Sequence, residues 1–589
     1  MISTESTGNK WFLPKVEQFQ ISALAIPVVI FLGSFALYWS TAARYPGWVD
    51  ATLILGSVDN LTLGVWANTH NLFNVLGYAW LRMLPRVDPH FALTILCAVL
   101  GSLTAVFMYS AALELTRNRT ASALASLALI MSLSLWWHST TIEVYTLNTM
   151  LIALFLFFVF RSYRTGNKWV LYPAFFFAGL GISNHVLMGL YIFAFFIILL
   201  PIAIRRFRFN GRQAAGLVAC FLAGTALFAT LFIMQWLKIF NTMSAGSTAS
   251  SVVILAKSLG RSLQYATGGS FQKYMFTRGL PFRERVFWHS NYVFLILLNY
   301  PSAAILFITT GFPRLWKLTG YRSAIVFYLL GLVAQIVWSA NYFIWDMYAF
   351  ALPVYVMLAI PLAAGIDGFL RNNRFRKTRW LIFATFIIPL LLYPSFSQWP
   401  NREKTVDRYI ALYPEAERTG GIWDPAQYIF NPIKRNYRDV EVFVDGILKV
   451  LPHGANYWDD ESKAAYPLEH YYQNILGRRR DVNVNTVFGL VMEEADTKRY
   501  ARRMLNQIKK GEPVFISALV EPEREILNQM VHMATPGIPI EDIRSKNTDQ
   551  FRRSITAFEV VDVPIVADSS LCIYELRTRP PSAPVARER

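Results

Sequence analysis

Cysteine and charge are both scarce in this chain. Of 589 residues only three are cysteines, and Asp, Glu, Lys and Arg together make up 16%. Cys97, Cys220 and Cys572 lie far apart and lack the spacing of metal ligands, so they predict neither a disulfide framework nor a zinc site. No other spacing demands a metal, and we expect a protein that needs neither a metal nor another cofactor.

Acidic residues are few in the first two thirds of the chain. Residues 1–394 carry 10 Asp and Glu against 29 Lys and Arg, whereas residues 395–589 carry 28 against 27. Because the basic residues punctuate apolar stretches, they indicate membrane topology rather than nucleic-acid binding. With 54% hydrophobic residues, including 44 Phe, the composition excludes an ordinary water-soluble enzyme.

Apolar runs long enough to cross a bilayer, which takes about 20 residues, occur about eleven times. The first follows Lys10 and Lys15 and has no clean cleavage site, so we expect a retained signal anchor. The predicted spans are Ile21–Ser40, Phe91–Leu115, Thr120–Trp137, Val144–Phe160, Trp169–Ser183, Leu187–Ile204, Ala214–Leu237, Tyr292–Gly311, Ser323–Tyr342, Met347–Ile366 and Trp380–Tyr393.

Lys and Arg occupy alternate connections between these runs, which fixes a predicted orientation. With a cytoplasmic N-terminus, every short inner connection is basic and the short outer ones hold no Lys or Arg. Glu114 and Asp367 then lie among inner arginines and are expected to form ion pairs. The long outer segments Thr41–His90 and Asn241–Ser290 are expected to hold helices at the bilayer interface. We expect a multi-pass protein of a bacterial plasma membrane.

The remaining residues, 395–589, have mixed charge and predict a separate α/β domain outside the cytoplasm. Apolar runs at Glu441–Val444, Ala455–Tyr457, Val482–Val487 and Pro513–Ser517 are the predicted strands. They alternate with helix-like segments near Lys463–Leu476 and Glu494–Ile508. The fold class is therefore a polytopic α-helical membrane domain, residues 1–394, followed by an extracytoplasmic α/β domain.

Groups able to transfer a proton collect on the predicted outer side. This placement favours an enzyme acting at the outer surface over a transporter, which would more often hold such groups at mid-depth. The tryptophans Trp136 and Trp137 are expected to form part of an interfacial belt. The outer histidines of residues 1–394 are His70, His90, His138, His185 and His289.

Several segments at predicted outer ends combine polar and aromatic residues. They are Asp50 just after the first span; Leu63-Gly64-Val65 before a His-containing turn; Trp136-Trp137 through Glu143-Val144-Tyr145-Thr146-Leu147-Asn148; Gly179-Leu180-Gly181-Ile182-Ser183-Asn184-His185; Asp346 followed by Leu352-Pro353; and, in the tail, Leu451-Pro452-His453-Gly454-Ala455 and Arg480-Asp481-Val482. Together they resemble the GT-C superfamily of polyprenyl-phosphate-sugar-dependent glycosyltransferases, in its protein O-mannosyltransferase-like branch.

The resemblance implies transfer of mannose or another hexose from a polyprenyl-phosphate carrier to a hydroxyl of a protein or glycan acceptor. It implies that Asp50 is the base, because superfamily members place an acid in the first outer loop. The departing phosphate needs positive charge but no acid. The basic outer connection offers Lys273, Arg278, Arg283 and Arg285 for that purpose. The expected orienting or sugar-binding groups are His70, Glu143, Tyr145, Asn148, His185 and Asp346.

Three alternatives remain open from the sequence. The first is that the candidate residues have only structural roles. Asp50 could cap a helix, Glu143 could pair with His138, and Asn184-His185 could satisfy backbone groups at a helix end. A flippase or transporter of lipid-linked sugars would move the carrier without breaking the sugar–phosphate bond. A catalytically inactive relative is the third, because the branch usually has His-Pro-Pro-Gly where this chain has His70-Asn71-Leu72-Phe73.

Overall fold

The computed structural model describes residues 21–48, 50–65, 69–185, 188, 200–245, 251–266, 281–342, 347–372, 374, 377, 379–396, 425–460, 464–487, 494–518, 523–534, 540, 558–565 and 572–578. The helices up to residue 396 are α1 Ile21–Thr41, α2 Asp50–Asp59, α3 Asn71–Met83, α4 Pro89–Thr116, α5 Arg119–Ile130, α6 Leu133–Thr140, α7 Tyr145–Thr165, α8 Leu171–Asn184, α9 Leu200–Arg206, α10 Gly211–Ser244, α11 Ser251–Ala266, α12 Phe282–Asn299, α13 Ala304–Trp316, α14 Arg322–Ala340, α15 Met347–Phe350, α16 Leu352–Met357, α17 Ala359–Leu370, α18 Arg379–Ala384 and α19 Ile388–Phe396.

Among the described residues, six helical stretches are long and apolar enough to cross a membrane, and up to eight if each of two bent pairs forms one span. The protein is thus an integral, multi-pass membrane protein. The predicted spans Trp169–Ser183 and Trp380–Tyr393 form shorter apolar helices. Most of the predicted span Leu187–Ile204 lies outside the described residues. The six are Leu24–Thr41, Pro89–Thr116, Tyr145–Thr165, Gly211–Ser244, Arg322–Ala340 and Tyr348–Leu370.

Two predicted spans are bent. The run Thr120–Trp137 divides into α5 and α6, whose axes differ by 61°, and the run Tyr292–Gly311 divides into α12 and α13 at 100°. A break leaves backbone groups without helical partners. One of them, the Ser134 N–H near the start of α6, donates to Asn299 Oδ1 at 2.8 Å. The last residue of α12 therefore stabilises the broken end of α6.

Glycines let two pairs of helices approach closely. A Cβ on Gly179 of α8 would collide with the carbonyl of Phe221, and one on Gly224 of α10 with the carbonyl of Phe176. The α13–α17 pair has the same arrangement at Gly311 and Gly365. Small residues at such crossings bring backbones into van der Waals contact, which drives helix association in lipid.

Ion pairs mark the end of the helical bundle that carries Thr116, Thr165 and Leu370, termed the lower end. Glu114 is 6% exposed and pairs with Arg164 and, at 3.2 Å, with Arg161. Asp367 pairs with Arg371 at 2.9 Å. The predicted ion pairs of Glu114 and Asp367 are therefore confirmed.

Helix α10 is unusually long, and a second helix packs against it. Its 34 residues rise about 51 Å, whereas the bilayer core is about 30 Å thick. The amphipathic helix α11 packs back against it, and Ser258 Oγ accepts a hydrogen bond from the Trp236 indole at 3.0 Å. Apolar side chains of α11 such as Val252 remain exposed.

The C-terminal part contains a five-stranded mixed sheet. The sheet order is β2-β1-β3-β5-β4, with β1 parallel to both β2 and β3 and with β5 antiparallel to β3 and β4. The strands are β1 Asn456–Asp460, β2 Asn483–Val487, β3 Val514–Ile516, β4 Phe558–Pro564 and β5 Cys572–Thr578, and the helices are α20 Pro425–Phe430, α21 Asp439–Val450, the π-type helix α22 Pro467–Ile475, α23 Glu494–Lys509 and α24 Glu523–Ala534.

Three of the four predicted strands match strands of this sheet, and the fourth is wrong. Glu441–Val444 lies inside the helix α21. The period-2 interpretation failed because Val440, Phe443, Val444 and Ile447 form the buried face of a helix, with spacing of three and four residues.

The start of the C-terminal part packs on the bundle end that carries Thr41, Thr140 and Asn184, termed the upper end. Side chains from residues 428–472 belong to the same hydrophobic core as those of the upper helices. The face of the sheet that carries Trp458 and Ile516 has a core of its own with α23 and α24. One face of the sheet therefore shares a core with the upper end of the bundle, and the other face has a separate core.

Candidate functional site

Asp50 is the first residue of α2, just beyond the upper end of α1. It is partly buried, and its carboxylate makes no hydrogen bond to any described residue. The structure therefore shows no side-chain hydrogen bond of the kind expected for a helix cap. Burial raises the pKa of Asp50 to about 6, because a carboxylate loses solvation when it is enclosed. A carboxyl group with such a pKa can accept a proton near neutral pH.

The segment before Asp50 is held by two tyrosines from the C-terminal part. Trp48 is 2% exposed, and its indole N–H donates to the Tyr437 hydroxyl at 2.9 Å. The Tyr428 hydroxyl donates to the Trp48 carbonyl at 3.1 Å. No sequence pattern pointed to these tyrosines, since about 380 residues separate them from Trp48.

His70 and His185 form a stacked pair. Their ring centroids are 5.0 Å apart at an interplanar angle of 17°, and His70 Nδ1 lies 3.1 Å from the Asn184 carbonyl. Burial lowers the pKa of His70 to about 4, and burial together with His70 lowers the pKa of His185. Both imidazoles are therefore neutral at physiological pH, when each can donate one hydrogen bond and accept another.

Tyr145 extends this pair into an aromatic cluster. Its ring centroid lies 5.2 Å from that of His185, 5.7 Å from His138 and 5.5 Å from Phe350. The first loop, the α6–α7 turn, the end of α8 and the end of α15 thus meet at the upper end. The predicted meeting of His70, Tyr145 and His185 is what the structure shows.

Glu143 lies in the turn before α7 and is partly buried. Its backbone N–H donates to Cys97 Sγ, and its carbonyl accepts from the same thiol, both at 3.4 Å. His138 Nδ1 lies 2.6 Å from the Ser134 carbonyl, and its Nε2 has no hydrogen-bonding partner among the described residues. The pairing of Glu143 with His138 is therefore not formed.

Asn148 lies one turn after Tyr145 on α7 and is fully buried. Neither its Oδ1 nor its Nδ2 has a hydrogen-bonding partner among the described residues. Nearby, Asn184 donates weakly to the Val144 carbonyl at 3.5 Å, while its Oδ1 also lacks a described partner. Buried amides are normally satisfied, so these groups are suited to a polar ligand or to water.

The basic residues of the predicted phosphate site are only partly described. Arg283 and Arg285 lie in the first turn of α12 and are both exposed. Lys273, Arg278 and Asp346 lie outside the described residues. The structure therefore places two of the four predicted cations on one exposed helix start.

Trp136 and Trp137 are not an interfacial belt, which corrects the sequence-based expectation. They are 1% and 2% exposed. The Trp136 indole donates to Thr41 Oγ1 at 2.9 Å and the Trp137 indole to the Tyr428 carbonyl at 2.7 Å. Their polar N–H groups thus find partners inside the protein instead of interfacial water.

Trp137 connects the two halves of the candidate site. Its ring centroid lies 4.9 Å from His138, which contacts Tyr145, and 5.5 Å from Tyr428, which bonds the segment before Asp50. A continuous set of contacts therefore joins Trp48, two residues before Asp50, to the His70–His185 pair. Among the described residues no cluster of three or more His, Cys, Asp or Glu side chains could hold a metal ion.

Residues 68–208 match the family model described as the protein O-mannosyl-transferase TMEM260 N-terminal domain. This segment contains all the described residues of the His70–His185 and Tyr145 cluster except Phe350. No curated protein matches the sequence significantly.

The whole chain resembles solved structures of ArnT from Cupriavidus metallidurans. With ArnT bound to undecaprenyl phosphate it shares 11% identity at a TM-score of 0.53, and with the apo state 13% at 0.52. Each similarity covers 94% of this chain and 98% of ArnT. The resemblance therefore extends over both the membrane helices and the C-terminal part.

Proposed function

We propose, because the chain has the fold of the GT-C glycosyltransferases, that it is a membrane glycosyltransferase that moves mannose or another hexose from a polyprenyl-phosphate carrier to an acceptor hydroxyl. The observation that carries the proposal is the partly buried Asp50 carboxylate at the upper end, which follows Trp48 and so connects through Tyr428 and Trp137 to a cluster of neutral, hydrogen-bonding side chains. The family model for residues 68–208 describes an O-mannosyl-transferase, and one ArnT structure has undecaprenyl phosphate bound. The first supports transfer of mannose, and the second supports a polyprenyl-phosphate carrier.

The proposed reaction is a single displacement. Asp50 accepts the proton of the acceptor hydroxyl while that oxygen attacks the anomeric carbon of the sugar. The bond between the anomeric carbon and the phosphate oxygen breaks, and the polyprenyl phosphate leaves with the electron pair. A phosphate is a stable leaving group, so the reaction needs no acid at that position.

The remaining predicted residues bind the substrates in this proposal. Arg283 and Arg285, with Lys273 and Arg278 of the same connection, neutralise the departing phosphate. The neutral imidazoles of His70 and His185 donate to and accept from sugar hydroxyls. Glu143, Tyr145, Asn148 and Asp346 orient the sugar, and the clearest support for such a role is that no described residue bonds the Asn148 amide.

Orientation and acceptor complete the proposal. The positive-inside pattern supports an upper end on the non-cytoplasmic face, and the membrane in this proposal is a bacterial plasma membrane. There the acceptor, a protein or a glycan, reaches Asp50 from water while the carrier enters from the bilayer. The acceptor hydroxyl and the lipid phosphate thus meet without either crossing the membrane.

The test uses purified protein in lipid nanodiscs with radiolabelled polyprenyl-phosphate sugars and an extract of cell-envelope acceptors. Wild type should release polyprenyl phosphate and label an acceptor, and Asp50→Asn should lower the rate by at least about 100-fold. Asp59→Asn, at the other end of α2, is the matched control and should keep wild-type activity.

Other outcomes would point elsewhere. In liposomes, movement of intact carrier across the bilayer without cleavage of the sugar–phosphate bond would indicate a flippase. Neither cleavage nor movement across a panel of sugars would favour a catalytically inactive relative. Full activity in Asp50→Asn would remove Asp50 from the reaction.

A further inference from the structure

Lys434 is a buried lysine with an unusual environment. It is 1% exposed, and its ammonium donates to the carbonyls of Tyr428 and, at 3.3 Å, Gln427. The ammonium also lies over three aromatic rings, 4.7 Å from the centroid of Tyr428, 5.3 Å from Tyr437 and 5.7 Å from Trp137. Burying an ammonium is costly unless other groups replace its hydrating water. The two carbonyls and the three rings do so here, and we term the rings of Tyr428, Tyr437 and Trp137 the aromatic cage.

The chain around Lys434 is bonded directly to the membrane helices. We term residues 425–438 the strap. The backbone N–H of Lys434 donates to the Thr41 carbonyl at the end of α1 at 2.8 Å. Thr140 Oγ1 at the end of α6 donates to the Pro432 carbonyl at 2.9 Å. The Trp137 indole donates to the Tyr428 carbonyl. The strap therefore joins the upper ends of α1 and α6.

The cage also reaches toward Asp50. Tyr428 and Tyr437 both form hydrogen bonds with Trp48, Tyr428 at its carbonyl and Tyr437 at its indole N–H. Trp48 precedes Asp50 by two residues. Any displacement of the two tyrosines is transmitted to the start of α2, because Trp48 is fully enclosed and cannot adjust independently.

We propose that Lys434 is a positioning residue for Asp50, which it fixes through Tyr428, Tyr437 and Trp48, so that the strap of the C-terminal part completes the site. This inference rests on the proposed role of Asp50 as the base. Lys434 itself does not touch substrate. It holds the cage closed, and the cage holds the carboxylate at the distance that proton transfer requires.

The kinetic test compares Lys434→Met with Lys449→Met in the nanodisc assay. Lys449 is exposed on α21 and is the matched control. Lys434→Met should lower kcat by on the order of tenfold to a hundredfold, since a displacement near 1 Å can cost that much, with donor KM changed by less than about threefold. Lys434→Arg keeps the charge and should recover part of kcat.

Tyr428→Phe provides a milder variant that keeps the ring and removes only the hydroxyl bonded to Trp48. It should lower kcat in the same direction, with the same unchanged KM. If Lys434→Met does not fold, this variant decides the question. A wild-type kcat in folded Tyr428→Phe, or a rise in KM alone, would overturn the proposal.

Hydrogen exchange tests the positioning without any catalysis. Amides of residues 42–52 should exchange faster in Lys434→Met and Tyr428→Phe than in wild type, while those of α13 and α17 stay unchanged. Unchanged exchange in both variants would refute the coupling of the cage to Asp50. Faster exchange in a protein that transfers no sugar would leave the coupling correct and the proposed function wrong.

Discussion

Asp50 illustrates how burial gives one residue two opposite effects. Enclosure raises its pKa to about 6, which makes it a competent base near neutral pH. The same enclosure makes its ionised form unfavourable in the folded protein. The family resemblance pointed to this residue in the sequence, but the bonds of Tyr428 and Tyr437 to Trp48, two residues earlier, form only in the fold.

Asp50→Asn is therefore expected to stabilise the protein at neutral pH. The folded-state pKa lies above the ordinary value of 3.8, so the folded protein binds more protons than the unfolded chain between about pH 4 and 6, and stability falls as pH rises through that window. Removing the charge should restore about 1–3 kcal/mol at pH 7.5, allowing for the partial exposure of the residue. Melting temperatures of wild type and Asp50→Asn in nanodiscs at pH 4 and 7.5 measure this stabilisation. An equal shift at both pH values would exclude this cause.

The rate should follow the ionisation of the same group. Below about pH 6 kcat/KM should fall tenfold per pH unit, because the protonated carboxyl cannot accept the acceptor proton. Since the pKa of His70 is lowered to about 4 and that of His185 also lies below its ordinary value, neither histidine should add an ionisation between pH 6 and 8. A pH–rate profile tests this, and an acid limb centred near pH 4 would contradict it.

Asn148→Leu separates binding from stability. The amide has no described partner, so an apolar residue of similar size should leave the protein as stable or more stable, while the KM for the sugar donor rises. Thr149→Val is the matched control, because Thr149 lies 3.2 Å from Thr104 Oγ1 and its loss should reduce stability by about 1 kcal/mol. A stable Asn148→Leu with wild-type KM would remove Asn148 from the substrate site.

At the level of helices and strands, sequence patterns predicted the features that depend on neighbouring residues and missed those that depend on distant ones. Hydropathy located the long apolar helices of the described residues, and basic residues cluster at the lower end, where the ion pairs of Glu114 and Asp367 form. The breaks were not predictable, because the capping of Ser134 by Asn299 joins residues 165 positions apart. The helix over Glu441–Val444 was missed because a four-residue apolar run does not distinguish a strand from one face of a helix.

Gly179→Ala tests the close crossing of α8 and α10. The added methyl would meet the carbonyl of Phe221, which cannot rotate away as a side chain could, so the mutation should cost about 1–3 kcal/mol. Gly260→Ala, in open space on α11, should be neutral or slightly stabilising. Thermal unfolding in nanodiscs compares the two. Equal melting temperatures would show that the helices separate at little cost.

For the whole molecule, the sequence indicated two parts but gave no sign of how they join. The contacts between the strap and the upper end pair residues about 290 to 390 positions apart, and single-sequence patterns carry no information at that separation. The aromatic residues involved are ordinary apolar residues in the sequence. Only the fold shows that their polar atoms are matched across the two parts.

A second junction between the parts allows a graded test. Tyr471 of α22 donates to Asp88 Oδ2 at 2.9 Å, while Asp88 Oδ1 caps α4 by accepting from the Phe91 N–H at 2.9 Å. Tyr471→Phe should cost about 1 kcal/mol, and Asp88→Ala about 2 kcal/mol because it also removes the cap. Chemical denaturation measures both. A larger loss in Tyr471→Phe than in Asp88→Ala would contradict this assignment.

The hydrogen bond from Trp137 to the Tyr428 carbonyl spans 291 positions and so has a consequence for biosynthesis. At about 5–20 residues per second, a ribosome needs roughly 15–60 s to reach the acceptor after it has made the donor. During that interval the helices are already entering the lipid, but the strap that covers their upper ends has not yet been synthesised. We expect ribosome-stalled chains ending before residue 425 to expose Trp48 and Trp137 to solvent quenchers, and full-length chains to shield them.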